Sequence, residues 1–306
     1  MDVTMLCDAV AMFPEPVEEA LPGWAGRHRD WAAGSAPGNA AAAGWVLHVH
    51  CFLLTDEGRA TLVDTGVGPA GAPGADWLGT AGRLPALLAE AGVTPAEIDT
   101  VVLTHVHLDH AGWNIAPAAP PVQTATPART GGDVGDHRDA GTGGSGAAGG
   151  PLFARAEYVV QRAELDHVAG TGTYARLVAP VLAAGQLRVV DGETTMPGGY
   201  RLLPTPGHTP GHQSVLTDGA VLAGDVLVHP AQARWPELPY RYETGPGAAV
   251  DSRRRLLRYA AEHGVPLAPA HLRDPLDVGA DLTPTAHRPV ALPATARCPL
   301  RRLSPR

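Results

Sequence analysis

The chain has 306 residues, 44% of them hydrophobic and 5% aromatic, enough to bury a substantial core in one large domain or two. A net charge of −8 argues against nucleic acid as a partner, and the absence of a basic-then-apolar leader or a long apolar run argues against a signal peptide and a membrane helix. Gly and Pro number 37 and 30, so much of the chain is loop, and the three scattered cysteines, Cys7, Cys51 and Cys298, form no disulfide framework, which fits a cytoplasmic location.

In chain order, residues 1–44 mix Pro, Gly, Trp and charge and read as an irregular N-terminal arm, whose Trp24 and Trp31 would cover a site or meet a second subunit. Two apolar runs, Trp45 to Leu54 and Ala60 to Val63, flank Thr55-Asp56-Glu57-Gly58-Arg59 and predict a β-hairpin ending in Asp64-Thr65-Gly66. His48 and His50 alternate along its first strand, share one face and are assigned a structural role. Leu84, Leu87, Leu88 and Ala91 have helical spacing closed by Gly92, and Thr94-Pro95-Ala96-Glu97 has the form of a capping box. Ile98 to Leu103 reads as a buried strand. Residues 117–151 are rich in Pro, Ala, Thr, Gly and Asp and read as a flexible insertion. Glu157 to Val160 predicts a strand, Arg162 to Val168 a helix, and Arg253 to His263 a second helix stopped by Gly264. The ordered domain is expected over 45–275, with 276–306 a disordered tail. Strands with helices interspersed predict an α+β fold of two sheets between helix layers.

Thr104-His105-Val106-His107-Leu108-Asp109-His110 is the most informative stretch, with four metal-type ligands in six consecutive positions just past a strand. A sharp turn there lets alternate side chains converge, which no helix face does at such spacings. Imidazole and carboxylate are the donors that Zn²⁺ prefers. The same device recurs: Pro206-Gly207-His208-Thr209-Pro210-Gly211-His212 follows a strand-like run, Ala220 to Gly224 ends in Asp225, and Val265 to Ala270 ends in His271. These residues point to a two-metal hydrolase site.

Together these motifs resemble the metallo-β-lactamase superfamily over about residues 45–272. The resemblance implies an αβ/βα four-layer sandwich with a dinuclear metal site at one edge of the two sheets. It implies that His105, His107 and His208 hold one metal, that Asp109, His110 and His271 hold the second, and that Asp225 bridges them. The ions implied are two divalent cations, Zn²⁺ first, with Fe and Mn in similar sites. A hydroxide shared by the metals would attack a carbonyl or phosphoryl centre, and Asp109 would pass a proton to the leaving group. Leu62-Val63-Asp64-Thr65-Gly66 matches a family segment whose Asp orients a ligating His, and His212 is assigned to ordering the ligand loop.

Within the family the motifs are closest to the branch of N-acyl-homoserine lactonases and organophosphate hydrolases. The function expected is hydrolysis of an ester or lactone. The alternatives are a glyoxalase II-like thioesterase, a phosphotriesterase, a specialised-metabolism enzyme, or a binding protein with a structural metal. Those lactonases carry a Tyr shortly after the bridging Asp, whereas this chain reads Asp225-Val226-Leu227-Val228-His229-Pro230. His229 is a candidate replacement, even against capping of the strand end, and Trp113, Trp235, Tyr240 and Tyr242 are candidate wall residues for an apolar or acyl-bearing substrate. The partner expected is a small molecule, with no nucleic acid and no membrane, and a homodimer is compatible.

Overall fold

The computed structural model describes residues 1–24, 45–117, 149–280, 284–285 and 300–303. The first sheet is built around the expected hairpin, β2 (Val46–Asp56) and β3 (Arg59–Val63), joined at Glu57 and Gly58. Both turn residues have positive φ, 45° and 80°, the backbone that a two-residue hairpin turn demands. Strands β4 (Thr100–Val102), β5 (Glu157–Gln161) and β6 (Leu187–Val190) add in parallel beyond β3. The Leu84–Glu90 helix precedes β4 and the Arg162–Val168 helix follows β5. The Thr94 capping box forms on a short 3₁₀ turn, Pro95–Glu97.

The N-terminal segment corrects the sequence reading. Residues Asp2–Met12 are not irregular but form β1, antiparallel to β2 over ten paired positions, while 25–44 of the expected arm, Trp31 included, lie outside the described residues. In the tail expected over 276–306, Arg301–Leu303 pairs with the outer side of β1 and Asp277–Val278 pairs with Pro284–Thr285, which corrects the reading at those positions, while 281–283, 286–299 and 304–306 lie outside the described residues. Both segments gain their order from partners distant in sequence, which local composition does not report. In chain order the small pair is β12 and β13 and the last strand is β14, giving a seven-stranded sheet of order β14-β1-β2-β3-β4-β5-β6. The insertion expected over 117–151 lies mostly outside the described residues, and an Ile115–Pro151 bridge closes its base.

The second sheet has five strands in the order β11-β10-β9-β8-β7. They are β7 (Thr194–Thr195), β8 (Arg201–Pro204), β9 (Gln213–Leu216), β10 (Val221–Gly224) and β11 (Leu267–Pro269). Phe52, Leu54, Val63, Val102 and Val159 of the first sheet meet Leu202, Val215, Leu222 and Ala268 of the second. Outside the first sheet, Leu84, Leu87 and Leu88 pack on Leu53, Leu62 and Val101. Outside the second, Leu256, Leu257 and Ala260 of the Pro246–His263 helix pack on Leu203, Leu216, Val221 and Leu267. These are the four layers, and both faces of the central strands are buried, which is why those strands read as continuous apolar runs. Among the described residues no helix is long and apolar enough to cross a membrane.

Candidate metal centre

Parallel strands end together, and the residues just past β3, β4, β10 and β11 meet at one edge of the sandwich. Past β3, Asp64 adopts a left-handed backbone, φ 59°. Its carboxylate accepts from the Thr104 amide at 2.7 Å, the Thr104 hydroxyl at 2.8 Å and His110 Nδ1 at 2.8 Å. A His110 that donates from Nδ1 keeps Nε2 turned into the cluster. One side chain thereby fixes both ends of the 104–110 turn.

Around this turn the structure brings together the seven residues named from sequence. His105 Nε2 and His208 Nε2 lie 2.9 and 3.0 Å from His107 Nδ1, a compact three-imidazole set. Asp109, His110 and His271 form a second set, with His110 Nε2 and His271 Nε2 at 3.3 Å and Asp109 Oδ2 at 3.4 Å from His271. Asp225 lies between them. Its Oδ2 is 3.3 Å from His208 Nε2 and 3.2 Å from His271 Nε2, and its Oδ1 is 3.2 Å from His110 Nε2.

Burial in this pocket forces a division of charge. Desolvation, helped by neighbouring imidazoles, holds His105 well below the ordinary imidazole pKa, and His107 and His208 are also lowered chiefly by burial. Burial works in the same direction on His110, but the carboxylates of Asp225, Asp64 and Asp109 win and hold it well above the ordinary value. His271 is likewise raised by Asp225 and Asp109 against its burial. Burial disfavours the charged form of Asp225, yet His271, His110 and His208 hold its pKa well below the carboxylate range. Neutral imidazoles at such separations point lone pairs at one another, and buried carboxylates need a positive neighbour. Divalent cations answer both demands, so the donor set fits metal ions.

The supporting framework is only partly legible in sequence. His212 accepts the Asp225 amide on Nε2 at 3.0 Å, and its Nδ1 lies 2.9 Å from Thr205 Oγ1, so the ring orders the backbone of Asp225. Burial lowers its pKa to about 3, which keeps Nε2 an acceptor. Glu164 carries no motif and was missed. Its two oxygens accept from the Val106 amide at 2.8 Å and the Thr209 hydroxyl at 2.6 Å, joining the two loops that carry His105, His107 and His208. Gly211 is required beneath it, because a Cβ there would collide with the Glu164 backbone. Asp8 was also missed; it accepts from the amides of Val67, Arg83 and Leu84 at 2.8, 2.7 and 2.6 Å and from Trp113 Nε1 at 3.2 Å.

Of the proposed wall residues the structure brings one to the cluster. Tyr240 stacks on His208 with ring centroids 5.9 Å apart, and burial together with Asp225 and Asp109 raises its pKa, so it keeps its proton. Trp113 instead packs in the first-sheet core with its indole N–H given to Asp8. His229 sits edge-on to Trp24 and Trp45, and its Nδ1 accepts the Ala231 amide at 3.1 Å. This is the local capping geometry, and burial lowers its pKa to about 3. Trp235 lies under the Arg234 guanidinium, and the exposed Tyr242 donates to Glu15.

Four layers with an imidazole–carboxylate cluster at the strand ends define the αββα class of metal-site proteins. More particularly, residues 44–271 match the metallo-beta-lactamase superfamily, and the chain belongs to it. It is 28% identical over 186 residues to an N-acyl homoserine lactonase of a Bacillus species, covering 56% of this chain and 59% of that relative. The match therefore spans less than two thirds of the relative's length. Among solved structures it is similar to a "probable metal-dependent hydrolase" of Staphylococcus aureus, with TM-score 0.70, 17% identity, and coverage of 95% of this chain and 98% of that one. It is also similar to AidC, a dizinc quorum-quenching lactonase, at TM-score 0.65 and 17% identity over 91% of each chain. At these identities the two structures speak for the fold.

Proposed function

We propose that this chain is a metal-dependent hydrolase of carboxylic esters, with lactones as its preferred substrates. The observation that carries the reading is Asp225, whose two oxygens face the His105–His107–His208 set on one side and the His110–His271 set on the other. Two divalent ions held there, Zn²⁺ first among the candidates, would supply Lewis acidity and a water with its pKa lowered towards ~7. The chain supplies the rest. Asp109, buried beside His271 but less deeply than His105, His110, His208 and His271, would carry a proton to the departing alkoxide. Tyr240, protonated and stacked on His208, donates a hydrogen bond to the substrate carbonyl oxygen. It takes the part that the lactonase resemblance gives to a Tyr following the bridging Asp, a position held here by apolar residues and His229. The lactonase relatives agree with this substrate class.

The test is hydrolysis by the metal-quantified full chain across acyl-homoserine lactones, simple γ- and δ-lactones, aryl esters, glutathione thioesters and an aryl phosphotriester. Chelator-sensitive ring opening of a lactone is the expected result. Preference for the thioester or phosphotriester would reassign the substrate, and no turnover with the ions bound would overturn the reading. Tyr240→Phe should retain metal and lower kcat on the order of 10²-fold.

A further inference from the structure

We propose that Cys7, His48 and His50 form a separate metal site, which takes a zinc-class cation through one thiolate and two imidazoles. Their donor atoms all lie within 4.8 Å of one another, the same closeness that gathers His105, His107 and His208. All three side chains are buried. The site is made by the pairing of β1 with β2. Cys7 stands opposite His50 in the register, and His48, two residues before His50, lies on the same face with ring centroids 5.5 Å apart. A register slip between Cys7 and Ala9 leaves Asp8 as the extra residue. That bulge sends the Asp8 carboxylate to the 66–84 loops while Cys7 keeps company with the histidines.

The separations suit the chemistry. A tetrahedral Zn²⁺ with bonds of about 2.3 Å to sulfur and about 2.05 Å to nitrogen holds those two atoms about 3.6 Å apart. Cys7 Sγ and His48 Nδ1 are 3.6 Å apart, so that edge of the site needs no rearrangement. Thiolate with imidazole is a donor set for Zn²⁺ and its spectroscopic stand-in Co²⁺, whereas the hard ions Mg²⁺ and Ca²⁺ require oxygen. Binding converts the Cys7 thiol to a thiolate and releases its proton to solvent, and the fourth coordination position is left to a water or another small donor. The ion would pin β1 to β2 at the bulge, behind the strand that orients His271. The His48 carbonyl accepts from His271 Nδ1 at 2.7 Å, and the His50 amide donates to Ala270 at 3.0 Å.

Cobalt reads this site apart from the cluster at the strand ends, because that cluster contains no sulfur. The full-length wild type, stripped and reloaded with Co²⁺, should show a sulfur-to-cobalt charge-transfer absorption in the near ultraviolet and bind one equivalent more than Cys7→Ser. Cys7→Ser should lose the band, while Cys51→Ala and Cys298→Ser keep it. A wild type with no such band overturns the proposal and leaves Cys7 and His48 as a thiol–imidazole hydrogen bond. A band that disappears with Cys298→Ser overturns it as well. Neither readout requires hydrolysis, so failure of the lactonase reading leaves this test intact.

Discussion

Glu164 touches no ligand, yet it holds the turn bearing His105 and His107 to the loop bearing His208 through the Val106 amide and the Thr209 hydroxyl. Glu164→Ala should weaken metal binding at that imidazole set by roughly 10–100-fold, as lost outer supports do, with Glu164→Gln recovering much of the loss because an amide oxygen still accepts. Competition with a chromophoric chelator measures this, and unchanged affinity in Glu164→Ala would deny the residue its positioning role. His229 makes a different prediction. Its pKa is lowered to about 3 by burial, whereas an unfolded His titrates near 6.5. Below pH 6.5 the unfolded chain takes up a proton that the folded chain refuses, so stability is lost as pH falls from 6.5 towards 3, at about 1.4 kcal/mol per unit. His229→Asn should remove about 2 kcal/mol of the stability lost between pH 7.5 and pH 5, read from urea melts, and an unaltered pH dependence would show that His229 is not held neutral. The contrast between these residues explains what sequence reveals. His105, His107, His208, Asp225 and His271 are legible because rare ligand types recur just past apolar runs. Glu164 looks like any helical Glu, and only the folded chain shows what its oxygens reach.

At the scale of elements, the strands bearing the cluster were legible and their outer neighbours were not. β3 and β4 are short apolar runs closed by turn residues, a local signal that needs no knowledge of partners. β1 is as apolar, but Asp8 interrupts it and Pro14 and Pro16 follow, so composition reads as irregular while the strand is ordered by β2 and β14. The same limit hides how the rim is held. Arg253, buried on the Pro246–His263 helix, donates to the carbonyls of Val226, Pro236 and Leu238 at 2.9, 2.8 and 3.3 Å and pairs with the buried Glu243. These contacts bracket the segment that carries Tyr240. Arg253→Met would leave Glu243 buried without its cation, which costs about 3–5 kcal/mol. Arg253→Met with Glu243→Gln should recover a substantial part of that loss. A double-mutant cycle with no coupling would show that the helix does not hold the rim through this pair.

Across the whole molecule, the cluster draws its side chains from both sheets, in addition to polar links such as Gln161–Gln213 and Thr61–Tyr200. His105, His107, Asp109 and His110 come from the first sheet, whereas His208, Asp225 and His271 come from loops of the second. An ion held by both halves would bind the folded chain and not the unfolded one, and so would stabilise the fold by mass action, about 2.7 kcal/mol for each ion present at 100 times its Kd. Stripping the protein with a chelator should therefore lower the unfolding free energy by several kcal/mol, and restoring metal should bring it back. The loss should also be uneven. The inter-sheet layer of Phe52, Val102, Val215 and Leu222 is far more apolar than the ligand edge and should keep its packing without metal. Hydrogen exchange in the metal-free protein should accelerate first at residues 104–113, 205–212, 224–230 and 270–272, with β2, β3 and β9 retaining protection. Uniform acceleration would mean that the two sheets depend on the ions for their packing. No acceleration at the four loops would mean that the cluster is held by its hydrogen bonds alone, with the ions contributing nothing to the fold.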